Sequence, residues 1–199
     1  MKQIGGLWWP DGDEVAHRVI PANLERAMPL VLPFLRRRGM VVQAGGNVGV
    51  YPVALAKHFE RVVTLEPDAE NFECLTLNIA GLENIDARNA ALGREGTTAA
   101  VVKSADNIGA HRIALGVGPV EVTTIDELGL TPDLIWLSVN GMPGPVVEGA
   151  LSTIRRSRPV VIISETHDDT GSARSLLLQH GYRQAGKVPH RDFVMVSEA

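Results

Sequence analysis

Short apolar runs alternate with longer amphipathic stretches along most of this chain. Val41-Val42-Gln43-Ala44, Arg61-Val62-Val63-Thr64-Leu65, Leu134-Ile135-Trp136-Leu137 and Pro159-Val160-Val161-Ile162-Ile163 are too short for stable helices and too apolar for an exposed sheet. They predict buried, mostly parallel strands. Residues 84–87 predict another short strand. Helical patterns lie between them: 52–57, 68–80 with Phe72, Leu75 and Ile79 on one face, 146–156 and 172–180. Residues 181–185 and 192–196 predict a closing antiparallel pair. Strands alternating with helices imply an α/β fold. The expected form is Rossmann-like and doubly wound, a mostly parallel sheet with an antiparallel C-terminal strand. The Val41 strand should be central, with the Arg61 and Leu134 strands on either side, because ligand sites of such sheets lie where strand order reverses.

Two regions are less regular. Trp8-Trp9-Pro10-Asp11-Gly12-Asp13 predicts an irregular segment with a turn, its tryptophans packed on the domain. Leu24, Met28, Val31, Leu32 and Leu35 recur at helical spacing within 21–38, but Pro29 and Pro33 predict a broken helix. Arg36-Arg37-Arg38-Gly39 reads as its cationic end and cap. Farther on, β-rich pieces at 97–102 and 120–124 flank residues 104–119, which read as a long loop with His111 and Arg112 as solvated charges. The whole reads as one domain, 1–199, with an N-terminal helical or irregular extension over 1–38 and a Rossmann-like core over 39–197.

Composition narrows the class. The chain has 199 residues, 45% of them hydrophobic, and a net charge of -4. That suits one globular α/β domain and gives no basic footprint for nucleic acid. No apolar run has the length of a membrane span, and residues 1–5 lack a signal-peptide core, so a cytoplasmic protein is expected. Cys74 is the only cysteine and reads as a buried core thiol. No His/Cys cluster has zinc spacing, and no metal is expected.

The candidate chemistry begins at Gly45-Gly46-Asn47-Val48-Gly49, between the first buried strand and a helix. Glycines allow positive φ and close backbone approach, and the following helix start offers free N–H groups. The spacing fails the dinucleotide fingerprint G-x-G-x-x-G, and no Lys-Ser/Thr pair completes a phosphate loop. What remains, G-x-N-x-G, resembles motif I of S-adenosylmethionine (SAM) methyltransferases. Glu66 closes the second strand about twenty residues later, where a carboxylate holds ribose hydroxyls, and Pro67 begins the next helix. Arg88-Asn89-Ala90-Ala91-Leu92-Gly93 is small enough for a flat ring to lie against the backbone.

The order of motifs over residues 38–197 resembles the FkbM-type methyltransferases. The likeness is carried by residues 41–49, by Val63-Thr64-Leu65-Glu66-Pro67, by Asn89-Ala90-Ala91-Leu92-Gly93, by Thr123-Thr124-Ile125-Asp126-Glu127-Leu128 and by Glu165-Thr166-His167. It implies a class I methyltransferase-like fold, SAM as cofactor, and O-methylation of a small-molecule or glycan acceptor. Cofactor contacts are then expected from Gln43, Gly45, Gly46, Asn47, Gly49, Glu66, Pro67, Asn89, Ala90 and Ala91. The sequence departs from the family at two places. Gln43 stands where an acid is usual, and a D-V-E-G-x-E motif reads Ser138-Val139-Asn140-Gly141-Met142-Pro143, without its carboxylates. His167 is then the expected base, since imidazole titrates near neutrality, with Glu165 orienting it or binding the acceptor, and Ser138 and Asn140 binding the acceptor. Two other readings stay open: a degenerate member that binds SAM or S-adenosylhomocysteine (SAH) as a binding or assembly module, and a nucleotide-dependent oxidoreductase.

Overall fold

The computed structural model describes residues 1–165, 171–188 and 192–198. The N-terminal segment opens with a hairpin in which β1 (Lys2–Ile4) pairs with β2 (Leu7–Trp9), so Trp8 and Trp9 lie in a strand and the expected turn is confined to residues 10–13. Trp9 is buried in the main core and Trp8 packs at its margin. Helix α1 (Ala16–Val31) starts ahead of residue 21 and runs unbroken through Pro21 and Pro29. Asp13 sets the early start, because its carboxylate accepts the Ala16 and His17 N–H groups at 2.9 and 2.8 Å. Burial of Leu24, Ala27, Met28 and Val31 offsets the hydrogen bonds that the prolines remove. A 3-10 turn, Leu32–Phe34, ends the helix, so Arg36–Arg38 lie beyond it.

The chain continues through β3 (Met40–Ala44), α2 (Val50–Leu55), β4 (Arg61–Leu65), α3 (Ala69–Asn78) and β5 (Ile85–Arg88). Next come β6 (Ala91–Leu92), β7 (Thr97–Val102), β8 (Arg112–Leu115) and β9 (Val120–Thr123). The last part holds β10 (Leu134–Leu137), α4 (Pro143–Glu148), α5 (Leu151–Ser157), β11 (Val160–Ser164), α6 (Ser172–Gln179), β12 (Tyr182–Val188) and β13 (Asp192–Ser197). The single helix expected over 146–156 is two, parted at Gly149, which passes so near the Gly93 carbonyl that a Cβ there would lie 2.2 Å from its oxygen.

Seven strands form the main sheet in the order β12-β13-β11-β10-β3-β4-β5. β3, β4, β5, β10 and β11 are mutually parallel, and β13 joins β11 antiparallel. This is the Rossmann-like α/β sheet that the apolar runs predict, with β3 between β4 and β10. One core cluster packs Val41, Val62, Leu134, Trp136 and Ile162 with α1 and α2, and another packs Val42, Val63, Ile135, Val161 and Ile163 with α4, α5 and α6. Alternate residues of each strand thus serve opposite faces, which is why the strands are apolar throughout. Cys74 is buried, and burial pushes its thiol up to about 11.

Strands β6, β9, β7 and β8 form a separate sheet in that order. The expected pairing of β7 with β9 is present, but residues 104–119 are more than a loop. They contain a 3-10 turn, Ile108–Ala110, and β8, whose Ile113 packs on the small core of Ala91, Ala99 and Val122.

Candidate functional site

At the carboxyl ends of the parallel strands lies an open cleft of about 310 Å³. The glycine turn forms its floor. Gly45 has φ +80°, and its N–H and that of Gly46 both donate to the Leu65 carbonyl, at 3.1 and 2.9 Å. A Cβ on Gly45 would sit 2.2 Å from the Ser138 carbonyl oxygen, and one on Gly46 would sit 2.7 Å from Thr64 Oγ1. Asn47 takes the left-handed region at φ 48°, and Gly49, at φ 97°, leads the chain into α2. Gly45, Gly46 and Asn47 line the cleft, whereas Gly49 supports it from behind.

Glu66 is a buried acid of the site. Its Oε2 accepts the Asn47 N–H at 2.7 Å, and its Oε1 accepts the Asp68 N–H at 2.9 Å. Burial pushes its carboxyl up to about 7, against the pull of those two hydrogen bonds, and the nearby Asp68 charge adds to the rise. Asp68 also caps α3 and meets Lys103 Nζ at 3.2 Å, which ties the second sheet to the main one. Beside Glu66, Pro67, Ala90, Ala91, Leu92, Val101, Ile108 and Ile113 line an apolar slot of the cleft.

Gln43 and Asn89, expected to touch a cofactor, do not line the cleft. Gln43 is fully buried, its Nε2 donating to the Ala44 and Gly45 carbonyls at 3.0 and 2.9 Å, and its Oε1 accepting from Thr64 at 2.5 Å. Its hydrogen-bonding capacity is spent on holding the glycine turn. Asn89 Nδ2 donates to the Glu66 and Pro67 carbonyls, at 2.8 and 3.3 Å, fastening the end of β4.

Ser138, Asn140 and Glu165 do line the cleft. Ser138 Oγ lies 3.2 Å from Ser164 Oγ. Glu165 Oε1 accepts from Arg174 Nε at 2.7 Å, and that guanidinium lies 3.9 Å over the Phe193 ring. Asn140 Nδ2 donates to the carbonyls of Gly109 and His111, both at 2.9 Å, so its amide fastens the segment that roofs the cleft. His167 lies outside the described residues. Asn140→Ala removes two hydrogen bonds, each worth about 0.5–1.5 kcal/mol net, so amide exchange over 107–112 should accelerate by roughly 5- to 150-fold. Hydrogen-exchange mass spectrometry reads this directly, and an unchanged rate would mean the roof is held by other contacts.

Several cleft residues were not singled out from the sequence. Val19, Ile20 and Asn23 bring α1 to the site, and Tyr51, Ser164 and Asp192 complete the end opposite the apolar slot. His111 and Arg112, read as solvated loop charges, also line the cleft. Burial lowers the His111 imidazole pKa, and its Nδ1 accepts the Ser104 N–H at 3.1 Å. Asp192 was legible in one respect: it opens an apolar strand, and an antiparallel strand starts at the edge where its parallel neighbours end.

The sequence profile of the methyltransferase FkbM domain matches residues 43–184. The chain belongs to the FkbM methyltransferase family. A solved FkbM methyltransferase from Methylobacillus flagellatus KT is 18% identical with a TM-score of 0.55, and the match covers 82% of this chain and 44% of that one. This FkbM-family chain therefore spans under half the length of that relative. Magnesium protoporphyrin IX methyltransferase from Synechocystis PCC 6803, solved with bound SAM, is 10% identical with a TM-score of 0.54, over 90% of this chain and 80% of that one. The ribosomal protein L11 methylase from Lactobacillus delbrueckii subsp. bulgaricus is 12% identical with a TM-score of 0.50, over 88% and 78%. No curated protein sequence matches the chain. At these identities the solved structures establish the class I methyltransferase fold, and the family establishes the methyltransferase relationship. Among the described residues, no helix is long and apolar enough to cross a membrane, and no cluster of three His, Cys, Asp or Glu residues could hold a metal ion.

Proposed function

We propose that the chain binds SAM in this cleft and methylates a hydroxyl group of a small-molecule or glycan acceptor. The observation that carries the reading is Glu66, a buried carboxylate beside the glycine turn, in a chain of a methyltransferase family. The cleft fits the cofactor in three respects. Glu66 presents carboxylate oxygens to a pair of ribose hydroxyls. The apolar slot from Pro67 to Leu92, roofed by Ile108 and Ile113, has the character of a site for a flat adenine ring. Asn47 Oδ1 is buried with no hydrogen-bond partner among the described residues, and an unpaired buried acceptor carries a cost that a ligand's N–H donor would relieve.

In this reading Gly45, Gly46 and Asn47 lie along the methionine part, Glu66 holds the ribose, and Ala90 and Ala91 lie against the adenine. When bound, the cofactor supplies an electrophilic methyl group on a sulfonium. The chain's task is to align the acceptor oxygen with that methyl in a site shielded from water. Ser138 and Glu165 stand at the end of the cleft away from the adenine slot and contact the acceptor. Calorimetry with SAM and SAH, followed by methyl-transfer assays on a panel of sugars and small alcohols, tests the reading. Binding with turnover supports it. Binding without any acceptor turned over would make the chain a binding module, and no binding of either nucleoside would refute the cofactor assignment.

A further inference from the structure

Four residues stand in one row across the carboxyl edge of the sheet. Leu137 pairs with Ala44 and with Ile163, so the next residues along, Gly45, Ser138 and Ser164, follow one another across β3, β10 and β11. Ser164 pairs directly with Asp192, the first residue of β13. Directly opposed residues on neighbouring strands present their side chains to the same side of a sheet. The 3.2 Å contact of Ser138 Oγ with Ser164 Oγ shows this for the middle pair. All four residues line the cleft. The row runs from the glycine turn, where the methionine part is placed above, to a carboxylate that is only 6% exposed.

Three described acids line the cleft: Glu66, Glu165 and Asp192. Glu66 lies at the ribose end and accepts two backbone N–H groups. Glu165 is matched by Arg174. Asp192 lies in the row itself and lines the cleft together with Ser138 and Ser164, with contacts of its own. Tyr51, which also lines the cleft, is near enough for the Asp192 charge to help burial keep its phenol protonated. Positions 43, 138 and 140 carry no acid in this chain, so among the described residues the carboxylate within the row itself comes from β13 and not from β3 or β10.

We propose that Asp192 is the base that takes the acceptor's proton, an assignment that rests on the methyl-transfer reading above. The acceptor hydroxyl gives its proton to the Asp192 carboxylate as its oxygen bonds the methyl carbon. The electron pair of the broken methyl–sulfur bond stays with sulfur, and the proton then passes from Asp192 to water. Ser138 and Ser164 hold the acceptor oxygen in line by hydrogen bonding.

The test compares wild type, Asp192→Asn, Asp192→Glu and His167→Ala, using the best acceptor from a panel of sugars. Asp192→Asn should lower kcat by about 10²- to 10⁴-fold, the span for one acid–base group, while KM changes by less than about threefold. Calorimetry should find the SAH affinity of this variant, and its affinity for the acceptor in the SAH complex, unchanged, with an unchanged Tm. Asp192→Glu should recover part of the rate. Near-normal turnover in Asp192→Asn, or a loss confined to His167→Ala, would overturn the assignment. A wild type that binds SAH but methylates no acceptor would overturn it too, leaving the cofactor site standing. Failure of the wild type to bind SAH would instead refute the methyl-transfer reading on which it rests.

Discussion

Gly45→Ala should cost the protein about 2–6 kcal/mol of stability and remove cofactor binding with it. Two separate effects add. A residue with a Cβ at φ +80° bears strain of about 1–3 kcal/mol. The new Cβ would also lie 2.2 Å from the Ser138 carbonyl oxygen, and relief of such an overlap in a packed region costs about 1–3 kcal/mol more. Ser138 cannot retreat freely, because its own N–H donates to the Ala44 carbonyl at 3.0 Å. The turn must therefore move, and it carries the Asn47 N–H that orients Glu66. Thermal unfolding and SAH calorimetry measure both effects. A variant that melts with wild type and still binds SAH would show that the turn is not constrained as described.

Glu66→Ala should weaken SAH binding by about 1.5–3 kcal/mol, roughly 10- to 150-fold, the worth of hydrogen bonds to a charged group. The substitution removes the acceptor for the ribose hydroxyls and also leaves the Asn47 and Asp68 N–H groups without theirs. A pH dependence accompanies it. Burial holds the Glu66 carboxyl near 7 in the free protein, and hydroxyl donors favour the ionised form, so binding lowers that value and releases a proton. Affinity should then be flat above about pH 7 and fall as pH drops below it, by up to about tenfold per unit. Glu66→Gln should bind weakly and lose this slope. Wild-type affinity that is level from pH 5 to 8 would mean that Glu66 is not the group bearing the ribose.

The strands were legible because each is an uninterrupted apolar run, and the glycine turn because three glycines and an asparagine separate a strand from a helix. Glu66 was legible as the acid that closes such a run, but the two backbone N–H groups that hold its buried carboxylate were not. The start of α1 was not, because Asp13 reaches it through a capping contact and the buried face outweighs two prolines. Strand β8 was hidden by its brevity and by the glycines around it. Gln43 was read as ligand-facing from the motif it replaces, but it is buried and its amide fastens the backbone of the turn. Asn140 does line the cleft, and its amide also fastens the roof, which depends on where neighbouring carbonyls fall and not on spacing. Asp192 is distant in sequence from the rest of the site, and only the antiparallel insertion of β13 beside β11 brings it to the cleft edge.

The measurement that bears most directly on the central claim is a crystal structure of the protein grown with SAH. The account predicts the ribose hydroxyls on the Glu66 carboxylate, the homocysteine part along Gly45–Asn47 and the adenine between Ala90–Ala91 and Ile108. SAH bound elsewhere, or with Glu66 making no contact to the ribose, would contradict it.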